Sequence, residues 1–476
     1  MKRLQQTAEK SRPRSPRRKD FPRPSSGAAF HSVLAGGIVL RLLVSAYLGY
    51  FNNDNHLAVI EYVSRVWLPP HAAQFDQAYH PPLYYFLAAP LFLAGRLAAV
   101  QGLSLVLSIL TLALIAALIR GLPGLDKKIQ PWCLALPAFH PQFILFGLFI
   151  SNDTLAIFLG ALVFDQCRRA QTAPTLGNYV LLGTMLGLGL LTKGVFLVFI
   201  LPLLLLLWLA DRGQGLSGSK IAARLSVFLC IAVVVGCYKY AENLVVYGNP
   251  LLSNLDFATW ADEQKPTWIG LRSLVDFDIF KLVRHPIASA ATVHSYPLML
   301  YGSFWYAFLP ESTFRGSLIA PFDRLGSIIY LLALCPTVLA IIGAGRIGGS
   351  WIASRIDRSA ADPHARNRTI YDAVLLFTLL LNLLLILSVG WRYDVWSVFQ
   401  GRLLFPSYFA ILAAFGAGLD WSAKSRAGFA AVRALLVALF FIFGVYFLTE
   451  FYLATAYPVS PLTLDHMPYK LDMNAR

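Results

Sequence analysis

The sequence predicts an all-α polytopic membrane protein with about eleven transmembrane helices, within a range of roughly ten to thirteen. Of the 476 residues, 57% are hydrophobic and only 14% are charged, whereas a soluble globular protein is typically about a quarter charged. Long apolar runs recur from end to end without a dominant period of 3.6, as in helices that are apolar all round. The alternating pattern of a membrane β-barrel is absent from the sequence.

The distribution of positive charge indicates a membrane partner and not nucleic acid. The formal net charge is +15, and residues 1–27 carry nine Lys or Arg against two acidic residues. This segment is rich in Pro and Ser, which predicts a disordered basic tail. Other basic residues lie in short loops between apolar runs, as the positive-inside rule and attraction to anionic lipids describe. We therefore predict a cytoplasmic N-terminus and membrane lipids as partners.

The basic loops also predict the direction of each span. A first span near 31–51 brings Asp54 to the outer, non-cytoplasmic face, and the basic loop 120–128 lies inside. Segment 81–96 is short and contains three Pro, so we predict a re-entrant or interfacial segment, which is tolerated where it lines a cavity. The other predicted spans are near 98–119, 131–150, 153–167, two within 178–209, 225–243, 326–345, 370–389, 403–419 and 433–450.

This topology divides the chain into a tail, a membrane domain and outer segments. The transmembrane domain is predicted over 28–450, and a second tail, 451–476, lies outside. Within the domain, 52–97 forms a first outer loop with juxtamembrane helices, and 244–323 forms a long outer segment rich in aromatic residues. The five cysteines form no CxxC pair, so we interpret them as buried apolar residues and not as disulfides or metal ligands.

Charged and polar side chains that interrupt the apolar pattern gather on the predicted outer face. They are Asp54, His56, His80, Asp153, Lys193, Arg392 and Arg402. Asp54 and His56 in "FNNDNH" suit a general base with a partner that ligates a metal or contacts a phosphate. They equally suit a polar cap on a short surface helix. The residues alone leave both interpretations open.

The other candidates also have structural alternatives. In "YHPPLYYF", Pro at a helix start and Tyr84 and Tyr85 in the interfacial belt are ordinary, whereas His80 is less easily explained. Asp153 in "FISNDTL" suits a tight turn, or supports a metal or a basic partner. Lys193 snorkels from an apolar run or pairs with a lipid phosphate. In "GWRYDVWSVFQGRLLFP", Arg392, Gln400 and Arg402 anchor the interface or bind phosphate.

The order of these motifs resembles that of polytopic glycosyltransferases of the C-type fold (GT-C). The motifs are an acidic residue after the first span, then "HPPLYY", "SND", "GLLTKG", "YGNPL" and "QGRLLFP". The resemblance extends from about 30 to 420 and is closest to bacterial aminoarabinose transferases and protein O-mannosyltransferase-like enzymes, a glycosyltransferase family 39-like group. No P-loop, GxSxG or HExxH motif occurs, which excludes the nucleotide hydrolases and proteases that those motifs mark.

The resemblance implies an inverting transfer of a sugar from a polyprenyl-phosphate donor to a glycan, lipid or protein acceptor. It matches Asp54 to the family's general base, and it implies a bacterial inner membrane, or an endoplasmic reticulum membrane in a eukaryote. Lys193, Arg402 and His80 are then the candidates that contact the donor phosphate, and His56, Asp153, Tyr84, Tyr85, Arg392 and Gln400 support the site.

Two positions depart from the family pattern. Relatives often have Asp-Glu where this chain has Asp54-Asn55, and a Lys before the Pro-Pro pair where this chain has His80. The missing second carboxylate weakens a metal site built on that pair, and the sequence specifies no cofactor. A divalent metal ion held by Asp54, His56, His80 and Asp153 is an alternative hypothesis.

Two other classes of function compete with the glycosyltransferase. A lipid or glycan transporter or flippase usually has polar groups near the bilayer midplane and internal repeats, and the sequence shows neither. A non-catalytic scaffold of an envelope complex is the second rival. The nature of the sugar and of the acceptor is not encoded in any motif, although segment 250–311 is expected to shape the acceptor site.

Overall fold

The computed structural model describes residues 26–48, 53–122, 124–257, 260–263, 265, 270–306, 321–356 and 363–456. Most of the predicted basic tail, 1–25, and most of the predicted outer tail, 457–476, therefore lie outside the described residues.

Within these ranges the chain forms α-helices and no β-strand. The α-helices are α1 Ser26–Leu48, α2 His56–Val66, α3 Leu83–Gly121, α4 Gln130–Phe139, α5 Pro141–Leu148, α6 Asn152–Thr172, α7 Leu176–Leu190, α8 Leu197–Gly213, α9 Gly218–Gly236, α10 Tyr238–Tyr247, α11 Trp260–Glu263, α12 Ile279–Arg284, α13 Tyr296–Trp305, α14 Pro321–Ile356, α15 Pro363–Tyr393, α16 Tyr408–Ser422 and α17 Arg426–Ala456. Short 3-10 helices are Asn53–Asn55, Gly194–Phe196, Asn254–Asp256, Leu271–Leu274, Trp396–Val398 and Gly401–Ser407.

The fold confirms an all-α, multi-pass membrane protein, but it does not confirm the predicted count of about eleven spans. In the described part of the chain, eight helices are long and apolar enough to cross a membrane. A ninth results if α5 and α6, which bend by 111° across a short break, are one span. The difference arises because the predicted span 131–150 is divided into α4 and α5, and α7 has only 15 residues.

A buried arginine stabilises the break between α4 and α5. Pro141 has no N–H, so the carbonyl of Pro137 lacks its usual helical donor. Arg41 of α1 is fully buried and supplies one, because its Nη2 donates to Pro137 O at 2.7 Å. Its Nη1 donates to Ala138 O at 3.3 Å and its Nε to Ser108 Oγ at 3.0 Å. Arg41 was not among the sequence candidates, and it joins α1, α3 and α4.

The segment predicted to be re-entrant or interfacial is the first part of α3. The backbone of this helix is interrupted at Gly95 and Arg96, where Arg96 has φ 56° and ψ −146°. The break separates 83–94 from the longer apolar part, 97–121, although the two parts together form one helix that is long and apolar enough to cross a membrane. Whether 83–94 crosses the bilayer stays a prediction.

The outer segment after α10 is described only in part, and α13 is its most buried element. Tyr296 of α13 stacks on Phe399, with ring centroids 3.8 Å apart. Ser303 donates from Oγ to Phe399 O at 3.2 Å and accepts from Gly401 N at 2.8 Å. This helix therefore fixes the 3-10 helix Gly401–Ser407, which carries Arg402.

The packing of α6 against that 3-10 helix depends on a glycine. A Cβ added at Gly160 would lie 2.1 Å from Pro406 O, a backbone atom that cannot move alone. We expect Gly160→Ala to destabilise the protein by about 1–3 kcal/mol through overpacking. Thermal unfolding in detergent measures the effect, and Gly102→Ala, where nothing lies within 4 Å, is the matched control. Equal melting temperatures for the two variants would contradict this packing argument.

Candidate active site

Four separate segments bring charged and polar side chains to one place. They are the 3-10 turn with Asp54 that leads into α2 at His56, the turn at Ser151 that leads into α6 with Asp153, Lys193 after α7, and Arg402 before α16. Each segment begins or ends a helix, where the backbone leaves its hydrogen-bonding pattern and side chains converge.

Arg402 lies between two carboxylates. Its Nη2 forms an ion pair with Asp54 Oδ2, and its Nη1 is 3.6 Å from Asp153 Oδ2. The guanidinium carbon is 5.1 Å from the centroid of the Phe146 ring, a cation–π contact. Nε and Nη1 are buried without a hydrogen-bond partner. The buried guanidinium therefore has two donors left for further hydrogen bonds.

Lys193 supplies the second cation of the site. Its Nζ donates to Asp153 Oδ1, and both side chains are nearly inaccessible to solvent. The lysine does not snorkel to the surface, because 8% of the residue is exposed. Asp153 itself lies in the first turn of α6, where the helix dipole favours a carboxylate. The resulting cluster contains two acidic and two basic side chains, so its formal charge is balanced.

The turn that presents Asp54 has an uncommon backbone. Asp54 and Asn55 both have positive φ, 59° and 53°, in the left-handed region. Non-glycine residues seldom adopt this region, although Asp and Asn do so most readily. Asn55 stands at the N-cap position of α2 without a side-chain capping bond. The turn is therefore not a simple polar cap on α2. It directs Asp54 towards Arg402.

His56 lies behind the carboxylates in a hydrogen-bonded chain. Its Nδ1 is 2.9 Å from Tyr85 Oη, and its Nε2 is 3.3 Å from Ser151 Oγ, which is 3.3 Å from Asp153 Oδ2. In the tautomer with the proton on Nε2, His56 donates to Ser151, Ser151 donates to Asp153, and Tyr85 donates to Nδ1. We assign this tautomer because it gives Asp153 Oδ2 a donor in Ser151. The hydroxyl of Tyr85, which also lies 3.3 Å from Gln77 O, then directs its hydrogen to the nearer Nδ1.

Burial keeps both histidines of the first outer loop neutral. It lowers the pKa of His56 to about 4, an effect that Asp54 and Asp153 partly oppose. Burial also lowers the pKa of His80 well below its ordinary value, with Lys193 acting in the same direction. The two imidazole rings stack with centroids 5.8 Å apart. As a neutral ring, His80 offers a hydrogen bond but no positive charge.

The low pKa of His56 predicts a loss of stability in acid. The pKa of this residue is 6.5 in the unfolded chain, whereas burial lowers the pKa to about 4 in the folded chain. Unfolding therefore takes up a proton as the pH falls from about 6.5 to 4, and stability is lost over that window. We expect the melting temperature of the wild type to fall more between pH 7 and pH 5 than that of His56→Gln, which cannot be protonated. Parallel falls would contradict the assignment.

Of the remaining candidates, Tyr85 joins the charged cluster through His56, whereas Arg392 lies outside the cluster. Tyr85 contacts His56, and Tyr84 is buried beside it with ring centroids 5.8 Å apart. Arg392 is exposed and lies over the ring of its neighbour Tyr393, without a described contact to the charged cluster. Gln400 is half-buried at the start of the 3-10 helix, where its carbonyl accepts from Leu403 N at 3.1 Å.

Sequence reasoning missed two residues of the site. Ser151 connects His56 to Asp153, and Phe146 lies beneath the Arg402 guanidinium. A Ser two residues before Asp153 is a helix N-cap signal, which the sequence offered. Phe146 had no distinguishing signal, because it is one apolar residue within an apolar helix.

The described side chains do not support the hypothesis of a metal site. No group of three or more His, Cys, Asp or Glu in the described ranges has the arrangement to hold a metal ion. The carboxylates of Asp54 and Asp153 face Arg402 and Lys193 instead, and protein cations there repel a metal cation. A divalent metal ion at this site stays a prediction.

Comparison with known proteins gives similarity at the level of solved structures. No protein-family model and no curated protein sequence matches the chain. The chain is similar to the crystal structure of ArnT from Cupriavidus metallidurans bound to undecaprenyl phosphate, with 16% sequence identity, a TM-score of 0.37, and coverage of 84% of this chain and 79% of that chain. For the apo state of ArnT from Cupriavidus metallidurans the values are 15%, 0.35, 84% and 80%.

Proposed function

We propose that this chain is a membrane glycosyltransferase that moves a sugar from a polyprenyl-phosphate donor to an acceptor on the non-cytoplasmic face. The observation that carries the proposal is the meeting of Asp54, Asp153, Lys193 and Arg402 where several apolar helices end. A lipid carrier suits such a site, because its chain stays in the bilayer while its phosphate reaches the cations.

The two cations, Lys193 and Arg402, stabilise the leaving group. When the bond from the anomeric carbon to the phosphate oxygen breaks, its electron pair goes to that oxygen and the phosphate gains a negative charge. Lys193 retains donors beyond its contact with Asp153, and Arg402 retains Nε and Nη1. Hydrogen bonds from buried cations to a developing anion stabilise the transition state by several kcal/mol.

Asp54 activates the nucleophile as a general base. It is the more accessible of the two carboxylates, with 30% of its side chain exposed, so an acceptor reaches it from solvent. Asp54 takes the proton from an acceptor hydroxyl or amine as that atom attacks the anomeric carbon. A single displacement of this kind inverts the configuration at the sugar carbon.

The proposal is tested in a strain that lacks the gene. Mass spectrometry of envelope glycans and lipids identifies the product that disappears on deletion and returns with the wild-type gene. Mass spectrometry of the lipid that copurifies with the protein identifies the donor class. Undecaprenyl phosphate serves as the reference compound in that measurement. An unchanged glycan profile, or transport of an intact lipid-linked sugar with no transfer, would overturn the enzyme assignment in favour of a scaffold or a transporter.

A further inference from the structure

A short stretch between α10 and α14 has a burial pattern that is the reverse of a water-facing surface. Leu271 is 77% exposed and Val275 is 76% exposed, whereas Ser273 between them is 2% exposed. Phe280 of α12 is 63% exposed. Neighbouring large apolar side chains that point away from a protein together mark a surface that contacts something other than water. We call these three side chains, Leu271, Val275 and Phe280, the exposed apolar surface.

The segment that carries this surface is firmly held by the rest of the fold. The carbonyl of Asp276 accepts a hydrogen bond from Ser295 Oγ, and Ser295 is the N-cap residue of α13. Lys281 Nζ donates to Asp276 Oδ2 at 2.9 Å. Leu282 of α12 is fully buried in the hydrophobic core. The fold therefore fixes which side chains of this segment face inwards and which face outwards.

Two hydrogen bonds join the end of α12 to the first turns of α14. Val283 O accepts from Ser327 Oγ at 2.7 Å, and Pro286 O accepts from Tyr330 Oη at 2.7 Å. The part of α14 that is long and apolar enough to cross a membrane is 324–354. The residues after α12 therefore lie beside the beginning of a membrane span.

That end of α14 is where the polar surface of the helix gives way to an apolar one. Arg324 is exposed at the start of the span, and the exposed large apolar residues of the helix begin with Ile328 and Leu331. Since a helix rises 1.5 Å per residue, Ser327 lies about one residue from the level at which the apolar surface begins. Val283, which is bonded to Ser327, is therefore near the boundary between water and lipid, and Phe280 is one helical turn away.

The charges of the segment also suit the surface of a membrane. Residues 270–285 contain three basic and two acidic residues. Lys281 pairs with Asp276, and Asp278 caps α12 by accepting from Phe280 N at 3.1 Å. Arg272 and Arg284 are both exposed. Apolar side chains that accompany exposed arginines are typical of segments that lie in the plane of the membrane interface, where the arginines reach the lipid phosphates.

We propose that segment 271–284 lies in the interface of the leaflet in which α14 begins, with the exposed apolar surface inserted at the boundary between headgroups and acyl chains. The partner of this surface is lipid, because the surface continues from the lipid-facing side of α14. The contact also fixes the depth of α13, which is bonded to the segment through Ser295 and Asp276. This inference goes beyond the proposed function and holds whether or not the chain transfers a sugar.

Spin labelling of the full-length protein in nanodiscs of phosphatidylethanolamine and phosphatidylglycerol tests the proposal. Single labels are attached in the variants Leu271→Cys, Val275→Cys and Phe280→Cys. The background lacks the three cysteines that are not fully buried, Cys230, Cys237 and Cys335. Power saturation then compares the accessibility of each label to molecular oxygen, which concentrates in lipid, and to a charged-headgroup-excluded nickel chelate, which stays in water.

Two exposed positions calibrate the measurement. Ile341→Cys reports lipid, because Ile341 is exposed in the middle of α14, and Lys127→Cys reports water, because Lys127 is exposed in the loop before α4. At all three test positions we expect oxygen to exceed the nickel chelate, as at Ile341, with a severalfold loss of nickel accessibility relative to Lys127.

Two other results would overturn the proposal. Nickel accessibility equal to that at Lys127 would place the segment in water. Low accessibility to both reagents would mean that protein, such as a second copy of the chain, covers the exposed apolar surface. Because each of the three positions is labelled in a separate variant, a variant that folds poorly leaves two others to decide the outcome.

Discussion

Replacing Asp54 by Asn is expected to lower sugar transfer by roughly 100- to 10,000-fold, the range that a positioned general base contributes. Asn keeps the size of the side chain and its tolerance for the left-handed backbone at this position, but it cannot accept the acceptor's proton. The rate of product formation in membranes from the complemented deletion strain measures the loss.

The controls for this prediction separate chemistry from folding. Asp54→Asn is expected to lower the melting temperature less than Arg402→Gln does, because the aspartate side chain is partly exposed and Arg402 keeps its contact with Asp153. Asp126→Asn changes an exposed aspartate of the loop before α4 and is expected to leave transfer unchanged. Transfer by Asp54→Asn at the wild-type rate would exclude Asp54 as the base. Asp153 would then be the remaining carboxylate of the cluster to test as the base.

Replacing Arg402 by Gln is expected to have the largest combined effect on stability and binding. The side chain is 10% exposed and lies between two carboxylates. Removing one partner of a buried ion pair costs about 3–5 kcal/mol, because the remaining charges are left uncompensated. Two lost charge-assisted hydrogen bonds to the phosphate weaken donor binding by roughly 100-fold or more. Thermal unfolding and undecaprenyl phosphate binding measure the two effects separately.

Arg402→Lys distinguishes charge from geometry. Lysine keeps the positive charge, so we expect it to recover much of the lost stability. It has no planar fork and does not pair in two directions at once, so donor binding is expected to stay about tenfold weaker than in the wild type. Full recovery of binding by lysine would mean that Arg402 acts only as a point charge, and the site would then have less geometric selectivity for phosphate.

Much of the candidate site was predictable from the sequence, because charged residues are costly within apolar runs. Asp54, Asp153, Lys193 and Arg402 each interrupt or border such a run, and the structure brings all four together. The positive-inside rule predicted that they share one face of the membrane. Arg392 has the same local signal but is exposed beside Tyr393, since a residue's own sequence does not report which neighbours its helix meets.

The difference between the predicted span count and the count of long apolar helices has a related cause. The run 131–150 is long enough to cross the bilayer, and its Pro137 and Pro141 do not by themselves decide between a kink and a break. The break forms because Arg41, distant in sequence, satisfies the carbonyl that Pro141 leaves without a donor. A partner of this kind is invisible to hydropathy, so the sequence overestimates the length of that helix.

The sequence by itself determined the class of this protein and the identity of its charged residues. A chain with so many apolar runs must satisfy its backbone within helices, and this requirement is local. Only the tertiary structure decided that Arg402 pairs with Asp54, that Asp153 is anchored through Ser151 to His56, and that the histidines are neutral. These features depend on contacts between helices far apart in the chain, where burial and the position of each neighbouring charge set the electrostatic balance.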